Sequence, residues 1–216
     1  QLSPFFADLA FIMDSATPYG EYGLIAIVLT LIIISGEIDL SIASMIALTA
    51  VIFGTVYNAG FGMPLSVLIG VLSGALCGLF NGILVTKLKI PSIILTIGTL
   101  TLYRGIAQAL ASDFSLGGYP SWFIGIDYRY VGIIPIPVII FTVFAIIVGF
   151  LLSSTIYGKQ LYLIGTNPQT AKYSGIKVDK IKLLLFTFSG VISGVAGVLT
   201  TSRLAVARFN MATGAE

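Results

Sequence analysis

Apolar residues run along this chain in six long stretches, over residues 22–35, 42–57, 64–85, 91–111, 135–154 and 183–201, with polar and charged positions gathered between them. Runs of this kind predict helices that are apolar all round. The last four reach the roughly 20 residues that a helix rising ~1.5 Å per residue needs to cross about 30 Å of hydrocarbon. The first two are shorter, and only residues 35–41, Ser-Gly-Glu-Ile-Asp-Leu-Ser, separate them. They fit spans shielded by neighbouring helices, or a broken, re-entrant pair. Irregular backbone at membrane depth is tolerated only where protein covers it or it lines a wet cavity. The expected fold is therefore an all-α, polytopic transmembrane helix bundle, one domain over residues 1–216.

Ahead of the first run, Phe5, Phe6, Leu9, Ile12 and Met13, with Asp8 and Asp14 between them, predict a short amphipathic helix lying at the membrane interface. No basic leader followed by a cleavage site occurs there, so this is not a signal peptide. The chain does not begin with Met, and a first run entering from outside needs an earlier span. It is expected to be a piece of a longer protein.

Composition agrees with a bilayer as solvent: 57% of residues are hydrophobic, 9% are charged and the mean hydropathy is +1.05. A net charge of +2 is too weak to argue for nucleic acid. Cys77 is the single cysteine and there is no histidine, so the common zinc and haem ligand sets are absent. No metal ligands and no catalytic residues are expected. No glycine-rich run ends in Gly-Lys-Ser or Gly-Lys-Thr, so nucleotide energy would come from a partner.

The placement of basic residues gives an orientation. Residues 155–182 carry Lys159, Lys172, Lys177, Lys180 and Lys182 against one acid, Asp179, and parity puts Lys87 and Lys89 on the same side. If that side is cytoplasmic, seven basic residues lie inside and three, Arg129, Arg203 and Arg208, outside, with Arg104 within a span. Residues 35–41 then also face the cytoplasm.

Small residues mark packing faces. Ser66, Gly70, Gly74, Gly78 and Gly82 recur at every fourth position of the third run, and Ser189, Gly190, Ser193, Gly194 and Gly197 do the same in the sixth. They predict a tight bundle, or, as the sharper alternative, a contact between copies.

The fourth run carries candidate chemistry. Ser92, Thr96, Thr99 and Tyr103 share one helical face, with Arg104 about 100° round from Tyr103. That face suits a polar, hydroxylated solute, which makes Thr96, Thr99, Tyr103 and Arg104, together with Asn81, candidates for a translocation pathway. Equally, the hydroxyls could bond to their own i−4 carbonyls or to neighbouring helices, with Arg104 reaching towards Asp113 and Asn81 serving as an interhelical hydrogen bond. Glu37 and Asp39 are open to a proton-relay or cation-site reading, but Asp39 or Ser41 also suits the cap of the helix starting near Ile42. These three are the candidate turn residues.

The basic loop spells a helix of its own. Asn167 suits an N-cap, Pro168 the first turn and Gly175 a left-handed stop, with Asp179 as the cap of the next helix. An ordinary linker helix, its lysines drawn to anionic lipid, is the plainer alternative.

Three stretches together, SGEIDLSIASMIAL at 35–48, NGILVTKLKIPSIILTIGTLTLYRGIA at 81–107 and YGKQLYLIGTNPQTAKYSGIKVDKIK at 157–182, resemble the permease subunit of bacterial ABC importers of the ribose, xylose, rhamnose and autoinducer-2 class. The resemblance implies a fold similar to the vitamin B12 importer type. It also implies two cytoplasmic ABC ATPases, which would bind the ATP, a second permease copy or relative, and a periplasmic sugar-binding protein, with the permease itself in a bacterial inner membrane. On this resemblance residues 167–175 form a coupling helix fitting a cleft on the ATPase, with Gly165, Asn167, Pro168, Ala171, Ser174 and Gly175 as its candidate residues. Family members usually read Gly-Gly-Ile-Asp-Leu-Ser where Glu37 replaces the second glycine here, and they carry an earlier span and several later ones.

The reading is an ATP-driven permease moving a monosaccharide or similar hydroxylated solute inward by alternating access, without changing its cargo covalently. The alternatives are an ion- or proton-coupled secondary transporter using Glu37, Asp39 and Arg104, and a non-transporting scaffold. A coupled carrier should show buried charges on several spans, and in the sequence only Arg104 stands clearly within one.

Overall fold

A computed structural model describes residues 9–112, 114–126 and 129–214. In chain order they form α1 (Leu9–Ile34), α2 (Ile42–Asn58), α3 (Met63–Thr86), α4 (Ser92–Ala111), α5 (Ser121–Ile124), the hairpin strands β1 (Tyr130–Val131) and β2 (Ile134–Pro135), α6 (Ile136–Ser154), α7 (Ile156–Thr166), α8 (Pro168–Tyr173) and α9 (Val178–Leu204). Five of these are long and apolar enough to cross a bilayer: α1 over Ser15–Ile34, α3, α4, α6 and α9. The all-α, polytopic bundle is the architecture observed.

The first helix departs from the expected 22–35 run. α1 is 26 residues long and passes through Pro18, Gly20 and Glu21, which break the apolar pattern without breaking the helix. Its glycines are contact points with α6: a methyl group at Gly20 would stand 2.7 Å from the Pro137 backbone, and one at Gly23 would stand 2.5 Å from the Phe141 ring. Small residues there let the helices touch. Of the short interfacial helix expected from Phe5 to Asp14, Phe5, Phe6 and Asp8 lie outside the described residues, while from Leu9 onward the backbone belongs to α1.

α2 keeps its short length, 17 residues or about 25 Å by helical rise. It is the centre of the bundle, packed by α3, α4 and α9 and buried without interruption from Ile42 to Val51. Its shortness is thus covered by protein. α1 closes at Gly36, whose φ of +79° is the left-handed stop, with Gly36 N–H donating to Ile33 O at 2.9 Å.

α3 and α9 make the closest helix pair, and the two small-residue stripes face each other. A methyl at Gly74 would run into Gly190 O, one at Gly190 into Gly74 O, and one at Gly78 into Phe186 O. The stripes are therefore spent inside the chain, and the contact between copies suggested for them is not their use. The opposite face of α3 exposes Leu65, Leu68, Leu72, Leu76, Phe80 and Ile83, an apolar surface suited to lipid.

The bundle has two distinct ends. At one, Lys182 pairs with Glu37, and Lys89 with Asp179 at 2.8 Å, which gathers residues 35–41, 87–91 and the α7–α8 region. At the other, Leu116 bridges Ala207, Arg208 Nε donates to Ser115 Oγ at 2.7 Å, and a cluster of Phe53, Tyr57, Tyr119 and Phe123 stacks at centroid separations of 5.3–5.5 Å.

The long basic loop is more helical than its sequence suggests. α7 begins where Thr155 Oγ1 accepts from Gly158 N–H at 3.3 Å, and Gly165 packs so tightly on α1 that a methyl would strike Ile34 O. Asp179 does not cap α9. Lys177 holds that position with no side-chain cap, and Asp179 lies in the first turn, bonded to Lys89.

Candidate functional site

The turn between α1 and α2 anchors a polar network sealed inside an apolar bundle. Asp39 Oδ1 accepts from Ser41 N–H at 2.9 Å and from Ser41 Oγ–H at 2.6 Å, and Oδ2 accepts from Ser189 of α9 at 3.2 Å. Asn81 Nδ2 of α3 donates to Ser41 Oγ at 2.8 Å, and Tyr103 of α4 donates to Asn81 Oδ1 at 2.9 Å, its hydroxyl also lying 3.0 Å from Cys77 O. Asp39, Ser41 and Asn81 are completely buried. Burial pushes the Asp39 carboxyl above the usual carboxylate range, against the opposing pull of its bonds from Ser41 and Ser189. The capping expectation needs revision here: Ser41 occupies the N-cap position, yet its side chain makes no cap bond, and Asp39 instead takes the N–H of Ser41 itself. Glu37, the other acid, is paired with Lys182, and both side chains are largely shielded, at 14% and 12% exposed.

The hydroxyl face of α4 turns inward onto this network. Ser92 Oγ accepts from Ile38 N–H at 3.1 Å, Thr96 Oγ1 donates to Ile38 O at 3.4 Å, and Thr99 Oγ1 donates to Thr96 O at 3.4 Å. Ser92, Thr96, Thr99 and Tyr103 are all buried. In this conformation the face binds the α1–α2 turn, α3 and its own backbone, which is the neighbour-bonding arrangement. For Arg104, the expected partner Asp113 lies outside the described residues. Arg104 Nη1 donates to Phe209 O at 2.5 Å and Met211 O at 2.8 Å, tying α4 to the segment after α9. The exposed face of α4 is the opposite one. It presents Ile94, Ile97, Gly98, Thr101 and Gly105, and both glycines border open space. Hydroxyl spacing alone missed it, because spacing defines a face without saying which way it points.

α8 is a small, well-formed helix on the surface. Asn167 Oδ1 accepts from Gln169 N–H at 3.0 Å and Thr170 N–H at 3.1 Å, Pro168 fills the first turn, and Gly175 with φ +82° ends the motif. The candidate residues divide in two. Asn167, Pro168, Ser174 and Gly175 are exposed, whereas Ala171 is fully buried among Leu161, Ile164, Val178 and Ile181, and Gly165 packs on α1. Ala171 and Gly165 seat the helix. Tyr173, which the sequence did not single out, stands 90% exposed and is the most prominent side chain of α8. Another side of α8 borders a cavity of about 320 Å3 lined by Glu37, Lys89, Gln169, Lys172, Asp179 and Lys182, among others.

Charges within the spans are more numerous than the sequence suggested. Glu21, just ahead of the expected 22–35 run, lies in α1 and is buried. It accepts from Arg203 Nε and Nη2 of α9, both at 3.0 Å, and from Thr200 at 2.8 Å. The two-pronged contact clamps α1 to α9 and leaves the pair neutral.

Comparison with known proteins adds to this geometry. A family model described as "Branched-chain amino acid transport system / permease component" matches residues 11–216. Curated relatives include the autoinducer 2 import system permease protein LsrD of Escherichia coli K12, Escherichia coli O157:H7 and Shigella flexneri. Each is 35% identical over 216 aligned residues, covering 97% of this chain and 66% of the relative. The chain thus spans just under two thirds of the length of these relatives. No solved structure matches it.

Proposed function

The chain belongs to this permease family, and we propose that it is the membrane-spanning subunit of an ATP-driven importer that moves a monosaccharide or similar small hydroxylated solute into the cytoplasm by alternating access. It is a multi-pass inner-membrane protein and a transport subunit rather than an enzyme. The partners that go with this reading are a pair of cytoplasmic ABC ATPases, which hold the ATP, a second permease subunit, a periplasmic sugar-binding protein and the lipid around the bundle.

The observation that carries the reading is α8. A free six-residue helix is marginal, yet this one is capped at Asn167, stopped at Gly175 and seated through Ala171, so that its outer face is held ready for a partner. The end bearing α8 faces the cytoplasm, because it gathers seven lysines against three arginines at the other. Alternating access needs helices that can shift as units, and α4 supplies one face bonded to the bundle and one face exposed. The relatives, named as autoinducer 2 import permeases, support a small polar cargo.

The secondary-transporter reading gains one observation, the charges on α1 and α9. Glu21 and Arg203 neutralise each other, however, and Thr200 adds a further bond to Glu21, so the group acts as a clamp between helices.

The test is co-purification of the full-length protein with its ATPase, comparing the parent with Tyr173→Arg combined with Gln169→Glu, two exposed positions that leave Ala171 untouched. Loss of the ATPase from a folded variant supports α8 as the docking element. A parent that recruits no ATPase, and whose vesicles take up solute on a proton gradient alone, replaces the importer with the coupled carrier.

A further inference from the structure

Three contacts in series join α8 to α4. Ala171 of α8 packs with Val178 and Ile181 at the start of α9, and its carbonyl accepts from Ile176 N–H at 3.1 Å, so α8 is seated on the first turn of α9. One residue beyond Ile181, Lys182 holds Glu37 of the α1–α2 turn. The next residue of that turn, Ile38, gives its N–H to Ser92 and its carbonyl to Thr96, both on α4. The 320 Å3 cavity bordered by Glu37, Gln169, Lys172 and Lys182 lies between α8 and the turn, and the direct contact beside it is made by Gly165 of α7 against Ile34 and Gly36.

Two ion pairs cross this region, and they differ in weight. Lys89–Asp179 is solvent-exposed, at 58% and 41%, where screening and side-chain entropy leave little net interaction. Lys182–Glu37 is shielded and screened much less. We propose that Glu37 and Lys182 are positioning residues for transport coupling: their ion pair ties α9 to the α1–α2 turn, whose Ile38 backbone carries the displacement of α8 and α9 to α4. This rests on the docking role of α8 proposed above.

The experiment uses the full-length protein with its partner subunits in proteoliposomes, in a Cys77→Ala background with a nitroxide on Thr101→Cys, an exposed position of α4 away from the turn. The probe is ATP with vanadate, and the readout is the change in nitroxide mobility on trapping. The parent should show that change. Glu37→Gln and Lys182→Met should each reduce it at least fivefold while the ATPase stays bound, Lys182→Arg should keep it, and Glu37→Lys combined with Lys182→Glu should restore at least half. Restoration by the reversed pair assigns the effect to the pair, and ATPase that stays bound to the folded single variants separates lost coupling from lost structure. Single variants that keep the change within twofold of the parent overturn the proposal, as does a folded, ATPase-bound reversed pair that restores nothing. A parent that binds ATPase but shows no change at α4 on trapping overturns it while the docking reading stands. A parent that recruits no ATPase removes the docking reading and the proposal together.

Discussion

Replacing Asp39 by alanine removes the acceptor for three donors at once. Ser41 N–H and Ser41 Oγ–H lose Oδ1, and Ser189 Oγ–H loses Oδ2, all in positions at most 1% exposed. The three losses are unequal. Ser189 lies in mid-helix and can turn its hydroxyl to the carbonyl four residues back, and the Ser41 hydroxyl still accepts from Asn81. The Ser41 N–H has no such recourse, and a buried, unsatisfied backbone donor costs about 1–3 kcal/mol. Adding about 1 kcal/mol for each of the two side-chain bonds gives a destabilisation of roughly 3–5 kcal/mol for Asp39→Ala. Asp39→Asn keeps one acceptor oxygen for Ser41 and offers its NH2 to the Ser189 hydroxyl oxygen, so about 1 kcal/mol is expected. The measurement is equilibrium unfolding of the full-length protein in mixed micelles, with both variants beside the parent. An alanine variant within 1 kcal/mol of the parent, or an asparagine variant as unstable as alanine, would refute the view that this carboxyl works as a hydrogen-bond hub.

Because burial raises the Asp39 pKa, the folded state binds its proton more tightly than the unfolded chain does. Its contribution is therefore fully present below the ordinary carboxylate range and is lost as pH rises through the folded value; a parent minus Asp39→Asn stability difference that does not fall with pH would contradict this. Gly78→Ala should destabilise by about 1–3 kcal/mol through overpacking against the α9 backbone, while Gly98→Ala, which meets nothing within 4 Å, should stabilise by up to about 1 kcal/mol; thermal unfolding of the two side by side checks the contrast. Glu21→Ala should cost roughly 3–5 kcal/mol by leaving Arg203 without its carboxylate in a shielded site, and unchanged chemical stability would show that the clamp is idle. Tyr173→Ala should leave stability within about 0.5 kcal/mol of the parent and lower the recovery of co-purified ATPase, read by quantitative blotting.

What the sequence disclosed, and what it withheld, follows from the range of the interactions involved. The Asn167, Pro168 and Gly175 signals act within a few residues, and the helix they imply is present over Pro168–Tyr173. The four-residue repeat of glycines in α3 is likewise a local pattern that shows a packing face, but nothing in it names α9 as the partner. Glu21 looked like a boundary because its partner, Arg203, is 182 positions away. Gly20 and Gly23 carry helix-weakening signals, and their close contact with α6 overrides them. α7 was hidden for the same reason, since Gly158 and Gly165 read as loop residues until the backbones they touch are known. The α4 hydroxyls were visible as a face, and their inward direction follows only from Ile38, whose backbone they hold.

The glycine seam between α3 and α9 also constrains how the protein is made. α3 is complete at Thr86 and α9 begins only at Val178, so on the ribosome about ninety residues separate the two halves of the closest contact in the bundle. At a synthesis rate of about 5–20 residues per second, α3 waits roughly 5–20 s in the membrane with its notched side unfilled. During that interval the nascent chain holds an open cleft whose occupant must leave when α9 arrives. Insertion of the last described span is therefore the event that locks the bundle, and truncations that stop before it should leave a substrate for membrane quality control rather than a smaller stable domain.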